Sequence, residues 1–246
     1  DLHIPKLSPE LSRRAYLYLP AGYDEQPDRR FPVMYMFDGH NVFFDEDATY
    51  GKSWGMARYL DETQTPLIVA AVECNSIGNN RLEEYCPFTC EDPKLGVIRG
   101  RGRTTMNWFV HEFKPMIDAN IRTLSDRSNT FICGSSMGGL MSLYAATTFN
   151  ATFGKAACLS PSLWLGAGKM RRIINQADIA PDTLIYMDYG GEEMANHTAN
   201  LSALTSCSTA LLKKGVDLTF RIAPGGTHCE ASWERQIPVF MKCLGF

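Results

Sequence analysis

Short apolar runs alternating with helical stretches predict an α/β protein, with a mostly parallel central sheet and helices on both of its faces, over one domain of residues 1–246. Three observations carry this expectation. The apolar runs are short and bounded by Gly, Pro, Asn or Asp, which favours buried strands over helix fragments. Segments of helical periodicity separate them. The composition, 45% hydrophobic and 21% charged, is that of a globular chain, which excludes a disordered chain, a collagen-like fibre and a coiled coil.

In chain order, residues 14–20 (RAYLYLP) alternate in polarity and stop at a Pro-Ala-Gly turn. Residues 33–37, 67–73, 129–134, 155–160, 183–189 and 217–223 read as further strands. Helices are expected over 108–121, where Pro115 should kink or interrupt the turn, and over 137–149 and 163–176. Two more follow, over 201–214, capped by Gly215, and over 231–243. Only about twenty residues separate the strand ending at Ser160 from the next, so no large lid fits there. Residues 75–105 show no periodicity. A loop that long is usually functional or disordered, and its Tyr85, Pro87 and Phe88 favour order, at the ligand-binding edge of the sheet.

With 24 Lys+Arg against 27 Asp+Glu, the net charge of −3 argues against a nucleic-acid partner. No apolar run approaches the roughly 20 residues that cross a bilayer, so no membrane association is expected. The first residues carry neither a basic start nor an apolar signal region, and no Met. The eight cysteines are too sparse for a disulfide scaffold and read as reduced thiols. A cytoplasmic location is therefore expected, with secretion left open. Cys133 and Cys158 lie in strand-like runs, and Cys86-x-x-x-Cys90 has no second pair at zinc spacing. Sequons at Asn150, Asn196 and Asn200 would matter only in a secreted protein. The oligomeric state stays open, a homodimer included.

Two phosphate-loop lookalikes fail. Gly51-Lys52-Ser53 has Glu46 where a glycine is required, and Gly100-Arg101-Gly102 has Thr105 in place of the third glycine and follows a loop rather than a strand. The five histidines show no metal spacing. Neither cofactor nor metal is expected. Arg99, Arg101 and Arg103 read as a solvated surface, with an anion-holding role as the alternative.

The chemistry-bearing signal is Gly134-Ser135-Ser136-Met137-Gly138-Gly139, set between an apolar strand and a helix. A Gly-x-Ser-x-Gly turn in that setting raises the serine oxygen above the sheet on strained backbone, and the glycines let helix and strand close together. Ser136 is the expected nucleophile. In this arrangement the triad runs Ser, acid, His along the chain, which selects His228, in the glycine-rich loop after the last strand, over His40 and His197. The acid is expected after residues 183–189. Glu193, beyond the Gly190-Gly191 turn, is preferred. Asp188 is the runner-up, with a structural hydrogen-bonding role as its alternative, and Glu192 is a further candidate. The oxyanion hole needs two backbone N–H groups, assigned to Met137 and to His40. Asn41 of the same loop, with Trp164, Tyr85 and Phe88, is an expected pocket residue, although core packing is an equal reading for each aromatic.

The chain resembles the putative-esterase (esterase D-like) family of α/β-hydrolases, which includes feruloyl, acetyl-xylan and siderophore esterases. The resemblance rests on Leu19-Pro20-Ala21-Gly22-Tyr23, Phe37-Asp38-Gly39-His40-Asn41 and Arg81-x-x-Glu84-Tyr85. It extends through the serine motif to Ser160-Pro161-Ser162-x-Trp164, Gly190-x-x-Glu193 and Gly226-x-His228-x-Glu230. It implies an α/β-hydrolase fold and a serine esterase, without cofactor, acting on small or aryl esters, acetyl or hydroxycinnamoyl, of sugars or similar alcohols. It also supports Glu193 as the acid. An acyltransferase with the same triad is the first alternative and a non-catalytic binding module the least favoured. The S-formylglutathione-type thioesterase is disfavoured because the serine motif lacks the His-Gly that usually follows it in those enzymes.

Overall fold

The computed structural model describes residues 1–193 and 197–246. A small antiparallel pair, β1 (Leu2–His3) and β2 (Ser12–Arg13), precedes β3 (Ala15–Tyr18) and β4 (Val33–Met36). Then come α1 (Met56–Thr63), β5 (Ile68–Val72) and α2 (Asn80–Glu84). The hairpin β6 (Cys90–Asp92) and β7 (Gly96–Ile98) leads into α3 (Gly102–Trp108) and α4 (Lys114–Asn120). The second half alternates regularly: β8 (Thr130–Ser135), α5 (Met137–Thr148), β9 (Lys155–Leu159), α6 (Ala167–Gln176), β10 (Leu184–Gly190), α7 (His197–Lys213) and β11 (Asp217–Ala223). Two short helices close the chain, α8 (Glu230–Glu234) and α9 (Ile237–Leu244).

Seven strands form one sheet in the order β11-β10-β9-β8-β4-β5-β3, parallel throughout except that β3 runs against β5. This is the expected α/β-hydrolase arrangement. Alternate residues of each strand feed two cores. Val33, Tyr35, Ile68, Ala70 and Ile132 face the layer of α3, α5, α6 and α7. Met34, Met36, Val69, Phe131 and Cys133 face α1, α9 and Trp233. A side chain such as Phe131, 2% exposed, contributes about 1.5–3 kcal/mol by its burial.

The differences from the sequence reading have local causes. The helix expected over 108–121 begins earlier, at Gly102, where a Cβ would lie 2.8 Å from the Cys86 carbonyl, so that only glycine fits the crossing. Pro115 is accommodated rather than breaking the helix: a π turn, Phe109–Phe113, widens the helix ahead of it. The helix expected over 163–176 is a 3-10 turn, Leu163–Leu165, followed by α6. The one expected over 231–243 is split, with Pro238 in the first turn of α9. Residues 75–105, expected as an irregular loop, hold α2, a hairpin and the start of α3. A fully buried pair fixes that segment: Arg13 donates twice to Glu84, at 2.5 and 2.9 Å, and Glu84 also accepts the Asn75 N–H at 3.1 Å.

All eight cysteines are free thiols, with Cys86 and Cys90 sulfurs 4.0 Å apart. Burial raises the Cys133 and Cys158 thiols, as expected of core residues. Of the sequons, Asn150 has its amide engaged by Ala146 O and Thr183 Oγ1, both at 2.8 Å, and Asn200 is buried. Asn196 lies outside the described residues. Among the described residues, no helix is long and apolar enough to cross a membrane.

Candidate active site

The carboxyl ends of β4, β8, β10 and β11 converge on one edge of the sheet. Ser136 forms the turn between β8 and α5 with φ 58° and ψ −119°, a conformation costly for any residue but glycine. The turn is over-determined. Ser136 N–H donates to Leu159 O at 2.9 Å and Ser136 O accepts from Ser162 N at 3.0 Å. A Cβ at Gly134 would stand 2.7 Å from the Gly138 backbone, and one at Gly139 would stand 2.6 Å from Leu159 O. The glycines of the motif are thus the spacing at which β8, α5 and β9 can touch.

The His228 Nε2 lies 2.9 Å from Ser136 Oγ and its Nδ1 lies 3.0 Å from Glu193 Oε2. The loops that carry Glu193 and His228 are stitched together. Gly191 N–H donates to Ala223 O at 2.9 Å and Glu192 N–H to Gly226 O at 2.8 Å, so the Glu192 side chain is left outward. A Cβ on Gly190 would lie 2.4 Å from Gly226 O. Glu193 has a side chain only 1% exposed and is held by Gly190 N–H at 2.7 Å and by the Ser160 hydroxyl. Trp233 Nε1–H donates to that same hydroxyl at 2.9 Å, and its ring meets the His228 ring edge-on at 5.1 Å. Ser160, like Ser136, has a positive φ, 44°.

Asp188 points elsewhere. It accepts the Ser160 N–H at 3.1 Å and the Tyr186 O–H at 2.9 Å. Burial raises its carboxyl to about 6, partly offset by those two donors. The structure therefore brings Glu193, and not Asp188, to the histidine. His40 contacts Thr49 Oγ1 at 3.0 Å rather than the serine. The His197 side chain lies outside the described residues.

Ser136 opens into a cavity of about 450 Å³ lined by polar groups, among them Asp38, His40, Asn41, Arg81 and Glu230. Arg81 grips Asp38 with two bonds of 2.7 Å. Burial alone would raise Asp38, but the guanidinium holds it below its ordinary value. Burial raises Glu230, and the Asp38 charge adds to this. The amides of His40 and Met137 both lie in the first turn of a helix, where the backbone ladder offers no acceptor. One group of metal-type ligands occurs among the described residues, Asp38, His40 and Cys74, within 4.8 Å of one another. Both Asp38 oxygens already bind Arg81, so a cation there would have to displace a guanidinium.

The expected pocket residues divide. Asn41 lines the cavity. Tyr85 does not: it is fully buried, its ring 5.0 Å from Phe37 and its hydroxyl 3.3 Å from the Asp38 N–H. Phe88 packs against Gly166 at the margin of the core. Trp164 is 42% exposed and borders a separate groove along α6 and α7. Arg99, Arg101 and Arg103 stay away from the cavity: the Arg99 N–H contacts Glu83, Arg101 bonds the Lys6 carbonyl, and Arg103 borders a different depression. Sequence reasoning gave no role to Arg81, Asp38, Ser160 or Glu230. Their signal was present, since each stands in a turn directly after a strand or inside a motif already noted.

The fold recurs in known proteins. An IroE-like serine hydrolase from Shewanella oneidensis superposes with a TM-score of 0.73 at 20% identity, over 94% of this chain and 74% of its own. The enterobactin esterase FES from Shigella flexneri gives 0.71 at 17%, over 99% of this chain and 56% of its own. By sequence, the uncharacterized protein YbbA of Bacillus subtilis (strain 168) is 26% identical over 185 residues, 74% of this chain and 69% of that protein. The family model described as Putative esterase matches residues 8–242. A match over nearly the whole chain settles the assignment: this protein belongs to the Putative esterase family and is a carboxylic ester hydrolase.

Proposed function

We propose that Ser136, His228 and Glu193 perform the hydrolysis through an acyl-enzyme. The observation that carries this reading is the unbroken hydrogen-bond line from Ser136 Oγ through the imidazole to Glu193. Ser136 Oγ attacks the ester carbonyl while His228 Nε2 takes its proton. The tetrahedral oxyanion is received by the N–H groups of Met137 and His40, each contributing about 3–4 kcal/mol. The tetrahedral intermediate collapses and the alcohol leaves with the proton from Nε2. Water, deprotonated by the same nitrogen, then attacks the acyl carbonyl and releases the acid and Ser136. Glu193 keeps the imidazole in the tautomer that presents Nε2 as a base and stabilises the imidazolium.

The substrates are small esters, acetyl or aryl, of sugars or similar alcohols. The segment between β9 and β10 holds only a 3-10 turn and α6 on this side, which leaves the site open to a bulky alcohol. Trp164 offers a face on which a hydroxycinnamoyl ring stacks, and a small recess joins it to His228.

The test is p-nitrophenyl acetate hydrolysis beside methyl ferulate. Wild type releases a nitrophenolate burst of one equivalent followed by turnover. Ser136→Ala retains its melting temperature and loses the burst, with kcat falling by roughly 10⁴ or more. A variant that kept more than a few per cent of turnover would remove Ser136 from the role of nucleophile.

A further inference from the structure

The groups around the cavity are mostly matched to one another. Arg81 is paired with Asp38, His40 with Thr49, and Asn41 Oδ1 accepts the Thr49 N–H at 2.9 Å. Glu230 is the exception. It is only 5% exposed, yet it faces the same cavity as Ser136. Its carboxylate accepts from its own backbone N–H at the start of the following helix and from the Asn41 amide at 3.3 Å, a long bond for a carboxylate, which leaves most of its acceptor capacity toward the cavity. Among the described residues it forms no salt bridge, the nearby guanidinium of Arg81 being held by Asp38. A buried carboxylate is an acceptor only and is costly to leave short of donors. The cavity therefore has a place that favours an incoming hydroxyl and rejects an anion or a bare alkyl chain.

Its position says which part of an ester arrives there. Glu230 is the first residue of α8, two beyond His228. In the proposed reaction, His228 hands its proton to the departing alcohol, so that alcohol lies over the His228–Glu230 segment. We propose that Glu230 is a specificity-determining residue that accepts a hydrogen bond from a free hydroxyl of the alcohol part, so that partial esters of polyols are the preferred substrates. This rests on the triad reading above and extends it to the leaving group.

Two pairs of esters test it. Glycerol monoacetate and propyl acetate differ only in hydroxyls on the alcohol, and methyl glycolate and methyl acetate differ by a hydroxyl on the acyl part. The wild-type protein is expected to favour glycerol monoacetate over propyl acetate in kcat/KM. Glu230→Leu should cut that ratio by roughly 10- to 100-fold, the worth of a charge-assisted hydrogen bond. Glu230→Gln, which keeps the shape and one acceptor, should cut it less and provides the reading should the leucine variant fail to fold. The proposal is overturned by a wild type indifferent to the hydroxyls, by a ratio unchanged in the variants, by equal losses on both acetates, or by a preference found only in the glycolate pair. A wild type that hydrolyses none of these esters and gives no burst with p-nitrophenyl acetate would overturn the triad reading itself, a different outcome from any of these.

Discussion

The last residues of β10 and the turn that follows it each carry a carboxylate, five positions apart, and they have opposite surroundings. Asp188 sits inside the strand, 1% exposed, and its acceptors are filled by the Ser160 N–H, just past the end of the neighbouring β9, and by Tyr186. Glu193 lies beyond Gly190 and Gly191, where the chain has left the sheet and can turn toward β11. Its two oxygens are divided: Oε1 takes Gly190 N–H and the Ser160 hydroxyl, while Oε2 faces His228. The lesson is geometric. A carboxylate still in the strand serves the strand, and one released by a glycine turn can serve a neighbouring loop.

The largest effect should come from Glu193→Gln. The amide keeps the contacts to Gly190 but removes the charge facing the imidazole, and it favours the wrong tautomer. Loss of kcat by about 10⁴ is expected, with the melting temperature within a few degrees of wild type. If Asp188→Asn shows that loss instead, the comparison is inverted.

The next effect sharpens it. Ser160→Ala removes a donor to Glu193, and Trp233→Phe removes the N–H behind that donor. Losses in kcat of roughly tenfold and severalfold are expected, since each deletes one hydrogen bond from the acid's support. A purely structural role would lower stability alone. A role in positioning would also lower kcat while leaving KM near the wild-type value, because only the support of the histidine's partner has changed.

Asp188→Asn should have the smallest catalytic effect, below tenfold, and its signature is in stability. The folded carboxyl titrates at about 6, above the ordinary 3.8. The native state thus holds this proton more tightly than the unfolded chain. Its stabilising contribution is complete below pH 4 and is lost as the pH rises through 6, a change of about 3 kcal/mol. An asparagine does not titrate. Denaturant unfolding at pH 4 and 7 should show the variant gaining on wild type by that amount at the higher pH.

The same contrast explains what could be read in the sequence. Ser136, His228 and Glu193 stand in turns whose glycines are dictated locally, so spacing pointed to Ser136 and His228 and placed Glu193 ahead of Asp188 and Glu192, with the family resemblance adding to that preference. Gly190 is needed because any Cβ would strike Gly226 O, and that contact is also what draws Glu193 to the histidine. The strands were legible because both faces of the sheet are buried and their apolar runs are continuous. The aromatic wall was not. Whether Tyr85 faces a cavity or the Phe37 ring depends on where α2 docks, and no local pattern records that. The helix α1 escaped notice because only Met56 and Leu60 of its eight residues are buried. Glu230 is written in the chain two residues past His228, but its shortage of donors exists only once Arg81 has been taken by Asp38.

The buried Arg13–Glu84 bond has a consequence that reaches the cavity from far along the chain. Glu84 closes the helix that also bears Arg81, one turn earlier, and Arg81 sets Asp38 at the cavity rim. Arg13 is thus a distant anchor of the catalytic edge, joined to it by one ion pair, a helical turn and a second ion pair. Losing one partner of a buried pair costs about 3–5 kcal/mol. Substitution or proteolytic nicking around residues 8–13 would therefore register as altered substrate handling, at positions remote in sequence from the groups that line the cavity.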